Sequence, residues 1–209
     1  MNDGKSPLSS DIGRLSSDRQ ACAEVIQAWG LARDRGRWSE LSATFTPEGE
    51  ISISWFRGPF AEFVERCKQS FSAGLRSKHL IWPATVKVEG ERAVAETSIA
   101  ILVRQTIEGV PVDLTSYGRF FDRMERRGRW MIAERTAVYE HDRLDPVEPS
   151  DAFDAMMRRA DVSKFPAAYR YMAFRVLAAG RSLADPVYRD GTPETDALYA
   201  RYAAWLGGD

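Results

Sequence analysis

The stretch Val112–Glu140, VDLTSYGRFFDRMERRGRWMIAERTAVYE, decides the fold. It reads as two long strands, VDLTSYGRFFDRMER and RWMIAERTAVYE, meeting at the turn signal Arg127-Gly128. Working back from it, RAVAETSIAILVRQTI and KHLIWPATVKV are two further strand candidates, set off by Glu108-Gly109 and Glu89-Gly90. From Ile99 to Val103 both strand faces are apolar. A sheet covered in this way carries helices on one side and a cavity or a partner on the other.

Upstream the pattern is helical. Cys22, Val25, Ile26 and Trp29 repeat at three and four residues from Asp18 onward, until Gly36. A shorter helix is predicted through Trp38, Leu41 and Phe45, stopped by Pro47 and Gly49, followed by a strand in EISISWF. Gly58-Pro59 leads into a third helix with Phe60, Phe63, Val64, Cys67 and Phe71, ended by Gly74. Helices followed by an antiparallel meander make an α+β class, with a curved sheet wrapped around the N-terminal helices. Three segments are expected: a flexible lead-in over residues 1–17, an α+β domain over 18–140, and a helical C-terminal extension over 141–209. In the extension HDRLDPVEPSD reads as a connector, which would place His141 in a solvated loop. Ser150 can cap a helix with Phe153, Met156 and Met157, and PAAYRYMAFRVLAAG and the segment from Thr192-Pro193 are helical. So short and aromatic an extension is expected to pack on the first domain or on a partner subunit.

Composition removes several classes of function. In 209 residues, 29 Lys+Arg stand against 30 Asp+Glu, which gives no field for nucleic acid or a membrane surface. The polar start MNDGKSPLSSDIG is no signal peptide, and no apolar run is long enough to span a bilayer, so a cytoplasmic protein is expected. Two histidines and the scattered Cys22 and Cys67 make neither a disulfide framework nor a metal set, and no nucleotide or flavin motif occurs. No cofactor is expected.

His79 is the residue that asks for a role. Alternation in SKHLIWP puts Ser77, His79 and Ile81 on one strand face and Lys78, Leu80 and Trp82 on the other. A buried imidazole there needs a hydrogen-bond partner, structural or catalytic. The element order, together with LARDRGRW, LSATFTPEGEI, SKHLIWPATVKVEGERAVAETS and SYGRFFDRMERRGRWMIAERTAV, resembles the SnoaL-like branch of the nuclear transport factor 2-like superfamily over about Asp18 to Glu140. The resemblance implies a cystatin-like cone with a mostly apolar pocket at its open end. In the eliminating enzymes of this branch, those similar to scytalone dehydratase and hexachlorocyclohexane dehydrochlorinase, a strand histidine is the general base. An aspartate at the end of the first helix orients it. His79 and Asp34 match those positions, and Arg135 matches an arginine near the leaving group. The chain departs from the dehydrochlorinase pattern at Trp29, where that enzyme carries a lysine, and it lacks the dehydratase's tyrosine pair.

The resemblance thus implies a cofactor-free lyase or isomerase for a small cyclic, largely apolar or aromatic metabolite. His79 would be the base, Asp34 its orienting partner and Arg135 the stabiliser of the developing anion, with Trp29, Trp55, Phe71, Trp82, Tyr117, Arg119 and Phe121 as candidate walls. Blander readings stand beside it. His79 can be a hydrogen-bonded core residue, Asp34 a helix-end carboxylate tied to Arg33 or Arg37, and Arg119 and Arg135 members of surface ion pairs. Non-catalytic relatives bind ligands or serve as structural subunits, like the small subunit of ring-hydroxylating dioxygenases. Apolar residues on both faces of the long strands also predict a homodimer or higher assembly through the outer sheet face.

Overall fold

Sustained period-two alternation commits the middle of the chain to long strands. The structure, a computed structural model, describes residues 7–208, with side chains from residue 11. In it β5 (Arg92–Ile107), β6 (Val110–Arg126) and β7 (Trp130–Pro146) form an antiparallel meander. The β5–β6 turn has two residues, Glu108 at φ 49° and Gly109 at φ 81°, a pair of positive φ values that suits the right-handed twist of the flanking strands. β1 (Phe45–Ile53) lies parallel to β7, and β2 (Phe56–Pro59) returns antiparallel along β1. β3 (Lys78–Ile81) and β4 (Thr85–Glu89) both pair with β5. The sheet order is β2-β1-β7-β6-β5-β3, with β4 on β5 beyond β3.

The curved sheet wraps α1 (Pro7–Arg35), α2 (Trp38–Ser42) and α3 (Phe60–Ser72). Ile26, Trp29 and Phe63 from the helices close on Phe120 and Ile132 from the sheet in one buried cluster. Burying a large apolar side chain contributes about 1.5–3 kcal/mol, so this cluster holds helices and sheet together. Gly30 sets how closely they approach: a Cβ there would lie 2.3 Å from Ile81 Cδ1 on β3. A mid-helix glycine costs roughly 1 kcal/mol relative to alanine, and here it lets the end of α1 run against β3.

Several boundaries differ from expectation. The first helix begins at Pro7 rather than Asp18, while residues 1–6 of the expected lead-in lie outside the described residues. Phe45 opens β1 instead of closing a helix, because β7 supplies a parallel partner with a register shift between Phe45 and Glu50. The KHLIWPATVKV strand is two strands, broken at Trp82-Pro83-Ala84, since Pro83 has no N–H for the ladder. The supposed connector after Glu140 is strand: β7 pairs with β6 as far as Pro146, opposite Val112. His141 is therefore a strand residue, exposed, with its ring stacked on Tyr117 at 4.6 Å.

The C-terminal residues form α4 (Asp151–Arg159), α5 (Arg170–Ala178) and α6 (Pro193–Gly207). Ser150 Oγ accepts the Phe153 N–H and Thr192 Oγ1 accepts the Thr195 N–H, each at a helix start. α6 covers the outer sheet face: Leu198 and Tyr202 bury Val94, Phe121 and Val138. The part of the outer face around Val94, Phe121 and Val138 is thus covered by the chain's own helix. No helix among the described residues is long and apolar enough to cross a membrane.

α5 is moored by a carboxylate. Asp142 on β7 accepts the Met172 N–H at 2.7 Å in the first turn of α5. Burial pushes its pKa up to about 6, while the helix N–H groups and Arg170 pull it back down. A folded pKa above the ordinary 3.8 contributes stability that is full below 3.8 and lost as pH rises to about 6. Asp142→Asn stays neutral throughout. The melting temperature of the wild type, measured against this variant, is expected to fall between pH 4 and pH 7. A constant difference across that range would refute the raised value.

Candidate active site

α1 ends where β3 begins, and this places Asp34 beside His79. The Asp34 Oδ1–His79 Nδ1 distance is 2.6 Å, and Asp34 Oδ2 accepts the backbone N–H of His79 at 2.8 Å. Lys78 Nζ lies 3.7 Å from the same Oδ2. With Nδ1 held by a carboxylate, the ring presents Nε2 away from Asp34, and His79 lines an internal cavity of about 50 Å³. Burial pulls the imidazole pKa below its ordinary 6.5. Asp34 opposes this by hydrogen bond and charge, while Arg33 and Arg135 reinforce it. The neutral ring is the form present at pH 7, as a base requires.

The cavity walls come from every layer of the fold. Trp29 meets His79 edge-on at 5.2 Å and Phe120 at 5.2 Å. Trp55 stacks on Phe63 at 5.6 Å, and Tyr139, whose Oη accepts the Ser54 N–H at 3.0 Å, stands on β7. Trp29 Nε1, Ser54 Oγ and Ser77 Oγ are buried without a hydrogen-bond partner among the described residues, and all three residues line the cavity. Buried polar atoms of this kind normally find partners, so three in one cavity mark it as a place for a polar ligand or water.

Of the candidates from sequence, His79, Trp29 and Trp55 line the cavity and Asp34 stands behind His79. The others are elsewhere. Arg135 is fully buried and bidentate to Asp122, at 2.7 Å for both contacts. It lies under Trp29 and Phe120, its guanidinium carbon 4.5 and 4.1 Å from their ring centres, and not in the cavity wall. Trp82 is 46% exposed on the face opposite His79, where strand alternation puts it. Phe71 packs edge-on against Trp38 outside the cavity. Tyr117, Arg119 and Phe121 alternate with the cavity-lining Phe120 and so face the other way. Phe121 stacks on Tyr199 and Tyr202, and Arg119 bonds Glu140, Asp190 and Tyr199. Arg119 and Phe121 thus fasten α6 to the sheet, while Tyr117 packs on His141.

Among the cavity residues that the sequence did not assign, three are cations: Arg33, at the end of α1, and Arg175 and Arg181 from the C-terminal part. Arg33 adjoins Asp34 in LARDRGRW, and that adjacency was the available signal.

The comparisons bear on the family and the fold. Residues 14–136 match the model of the SnoaL-like domain. A PEP2-like protein of Fusarium vanettenii is 27% identical over 94% of this chain and 88% of its own length. A scytalone dehydratase-like protein of Novosphingobium aromaticivorans superposes with TM-score 0.54 at 16% identity, covering 68% of this chain and 99% of that one. A type 2 hexachlorocyclohexane dehydrochlorinase does so with TM-score 0.52 at 16% identity, covering 67% and 95%. A curved sheet wrapped around helices, and a domain model matched over more than half of the chain, place this protein in the SnoaL-like domain family.

Proposed function

We propose that the chain is a lyase or isomerase working without a cofactor on a small cyclic, largely apolar metabolite. His79 Nε2 takes a proton from a carbon beside an electron-withdrawing group. The electron pair of the broken C–H bond then expels a leaving group from the neighbouring carbon, or accepts a proton elsewhere on the ring. Asp34 holds the imidazolium that forms, and the unpartnered donors of two lining residues, Trp29 Nε1 and Ser77 Oγ, would meet developing negative charge. The observation that carries this reading is the 2.6 Å Asp34–His79 contact at the wall of the inner cavity that His79 lines. Two fold neighbours named for eliminations, a dehydratase and a dehydrochlorinase, are of the same reaction class.

The test works whatever the leaving group is. A panel of cyclic ketones and β-keto acids is incubated with the protein in D₂O, and deuterium at the α-carbon is followed by mass spectrometry. At least one member is expected to exchange faster than with His79→Gln. Exchange independent of His79 across the panel would favour the second reading, a ligand-binding protein of the same fold. The small volume of the cavity, about 50 Å³, is the observation on that side.

A further inference from the structure

Arg33, Arg175 and Arg181 all line the cavity, and none of them is in an ion pair among the described residues. Their hydrogen bonds go to neutral partners. Arg175 Nε donates to Gln105 at 2.9 Å and its Nη1 to Met172 Sδ at 3.7 Å, and Arg181 Nη2 donates to Ser70 Oγ at 2.9 Å. Arg119 on the outer face, by contrast, has Glu96, Glu140 and Asp190 within 2.7 Å. Arg175 is only 9% exposed. Burial lowers its pKa to about 10, and repulsion by Arg181 and Arg33 adds to the lowering. Arg33 and Arg181 are half-buried. Holding like charges around one cavity without a counter-charge is costly, above all for the buried Arg175, and an arriving anion would offset it.

Arg181 also marks a way in. With Trp55 and Ser70 it lines both the inner cavity and an outer cleft of about 660 Å³ against α3. Its guanidinium carbon sits 5.3 Å from the Trp55 ring centre. The side chain is thus part of the partition between cleft and cavity.

We infer that the substrate carries a carboxylate, drawn in past Arg181 and held by Arg33, Arg175 and Arg181 while its apolar ring lies among Trp29, Trp55 and Phe120. A planar carboxylate fits the donor fork of a guanidinium bidentately, and the aromatic walls leave the rest of the ligand apolar. The inference rests on the catalytic reading of the same cavity and adds a consequence for it. Neutralising Arg33 removes one of the charges that lower the His79 pKa, so an anionic substrate makes its own base stronger.

Binding is read from the tryptophan fluorescence of the full-length protein, since Trp29 and Trp55 line the cavity. The probes are benzoate, its neutral isostere benzamide, and phenyl phosphate. Benzoate is expected to bind about tenfold or more tightly than benzamide, as the loss of a charge-assisted hydrogen bond implies. Arg181→Gln is expected to weaken benzoate by a similar factor and leave benzamide unchanged. This partly exposed position tolerates the exchange better than Arg175, and a melting curve checks the fold. Equal affinities for benzoate and benzamide, or no effect of the variant in a folded protein, would overturn the anion site. Phenyl phosphate binding about tenfold tighter than benzoate would overturn the carboxylate assignment. The two readings fail separately. Benzoate binding with no His79-dependent exchange would remove the lyase and keep the anion site, and exchange with indifferent benzoate binding would do the reverse.

Discussion

Arg135→Ala is expected to melt roughly 6–20 °C below the wild type, the shift that corresponds to a loss of about 3–5 kcal/mol in a domain of this size. Arg135 and Asp122 face each other across the β6–β7 register and are both fully buried, with two N–H···O contacts of 2.7 Å. Removing the guanidinium leaves a carboxylate in the core with no counter-charge and no donor. It also empties the space beneath Trp29 and Phe120. The double variant Arg135→Met with Asp122→Leu removes both charges and refills the volume, so it is expected to recover most of the loss. Thermal melts of the three proteins decide the point. A double variant as unstable as Arg135→Ala would mean that the pair matters for its shape and not for its charge balance.

The same pair shows where a sequence reading stops. That Arg135 lies on an inward strand face follows from alternation. That Asp122 stands opposite depends on the β6–β7 register and on two register shifts within it, which no local pattern announces. The meander itself was legible because strands of 16 and 17 residues repeat period two many times and end in glycine turns. Phe45 and His141 were misplaced for a common reason. Each takes its conformation from a partner strand distant in the chain, β7 for Phe45 and β6 for His141, while nearby prolines and charges suggested otherwise.

In the site, the residues anchored to regular elements were legible and those chosen for their chemistry alone were not. Asp34 and His79 meet because a helix end and a strand start are fixed by Gly30 and by alternation. Trp82 was a wall candidate as an aromatic near the base, although parity already put it on the far face, where it is 46% exposed. Phe120, one step from each of Arg119 and Phe121, holds the inward parity that those two lack. Arg175 and Arg181 reach the cavity only through the packing of α5 and the turn after it, a long-range contact invisible in a single sequence.

His79→Gln is expected to lower the α-carbon exchange rate by about 10² to 10⁴, the usual cost of losing a positioned base, with little change in melting temperature. Asp34→Asn separates a catalytic dyad from a structural hydrogen bond. Asp34 accepts from two groups at once, the backbone N–H of His79 at 2.8 Å and Nδ1 at 2.6 Å. An asparagine has one oxygen. If that oxygen keeps the backbone N–H, the amide NH₂ faces Nδ1, which must then accept, and the ring proton moves to Nε2. The base has lost the lone pair it presented to the cavity. If the amide turns round, its NH₂ confronts the backbone N–H and the strand start is strained. Either way exchange is expected to drop nearly as far as in His79→Gln, and the double variant should be no slower than the worse single one. In the wild type the acid limb of the rate is expected below pH 6.5, since burial holds the imidazole pKa below that value and the neutral form is lost only as pH falls through it. Asp34→Asn removes the carboxylate that opposes this lowering, so any residual activity should keep its acid limb lower still. An Asp34→Asn protein with wild-type exchange and an unmoved limb would return Asp34 to the role of a helix-end carboxylate.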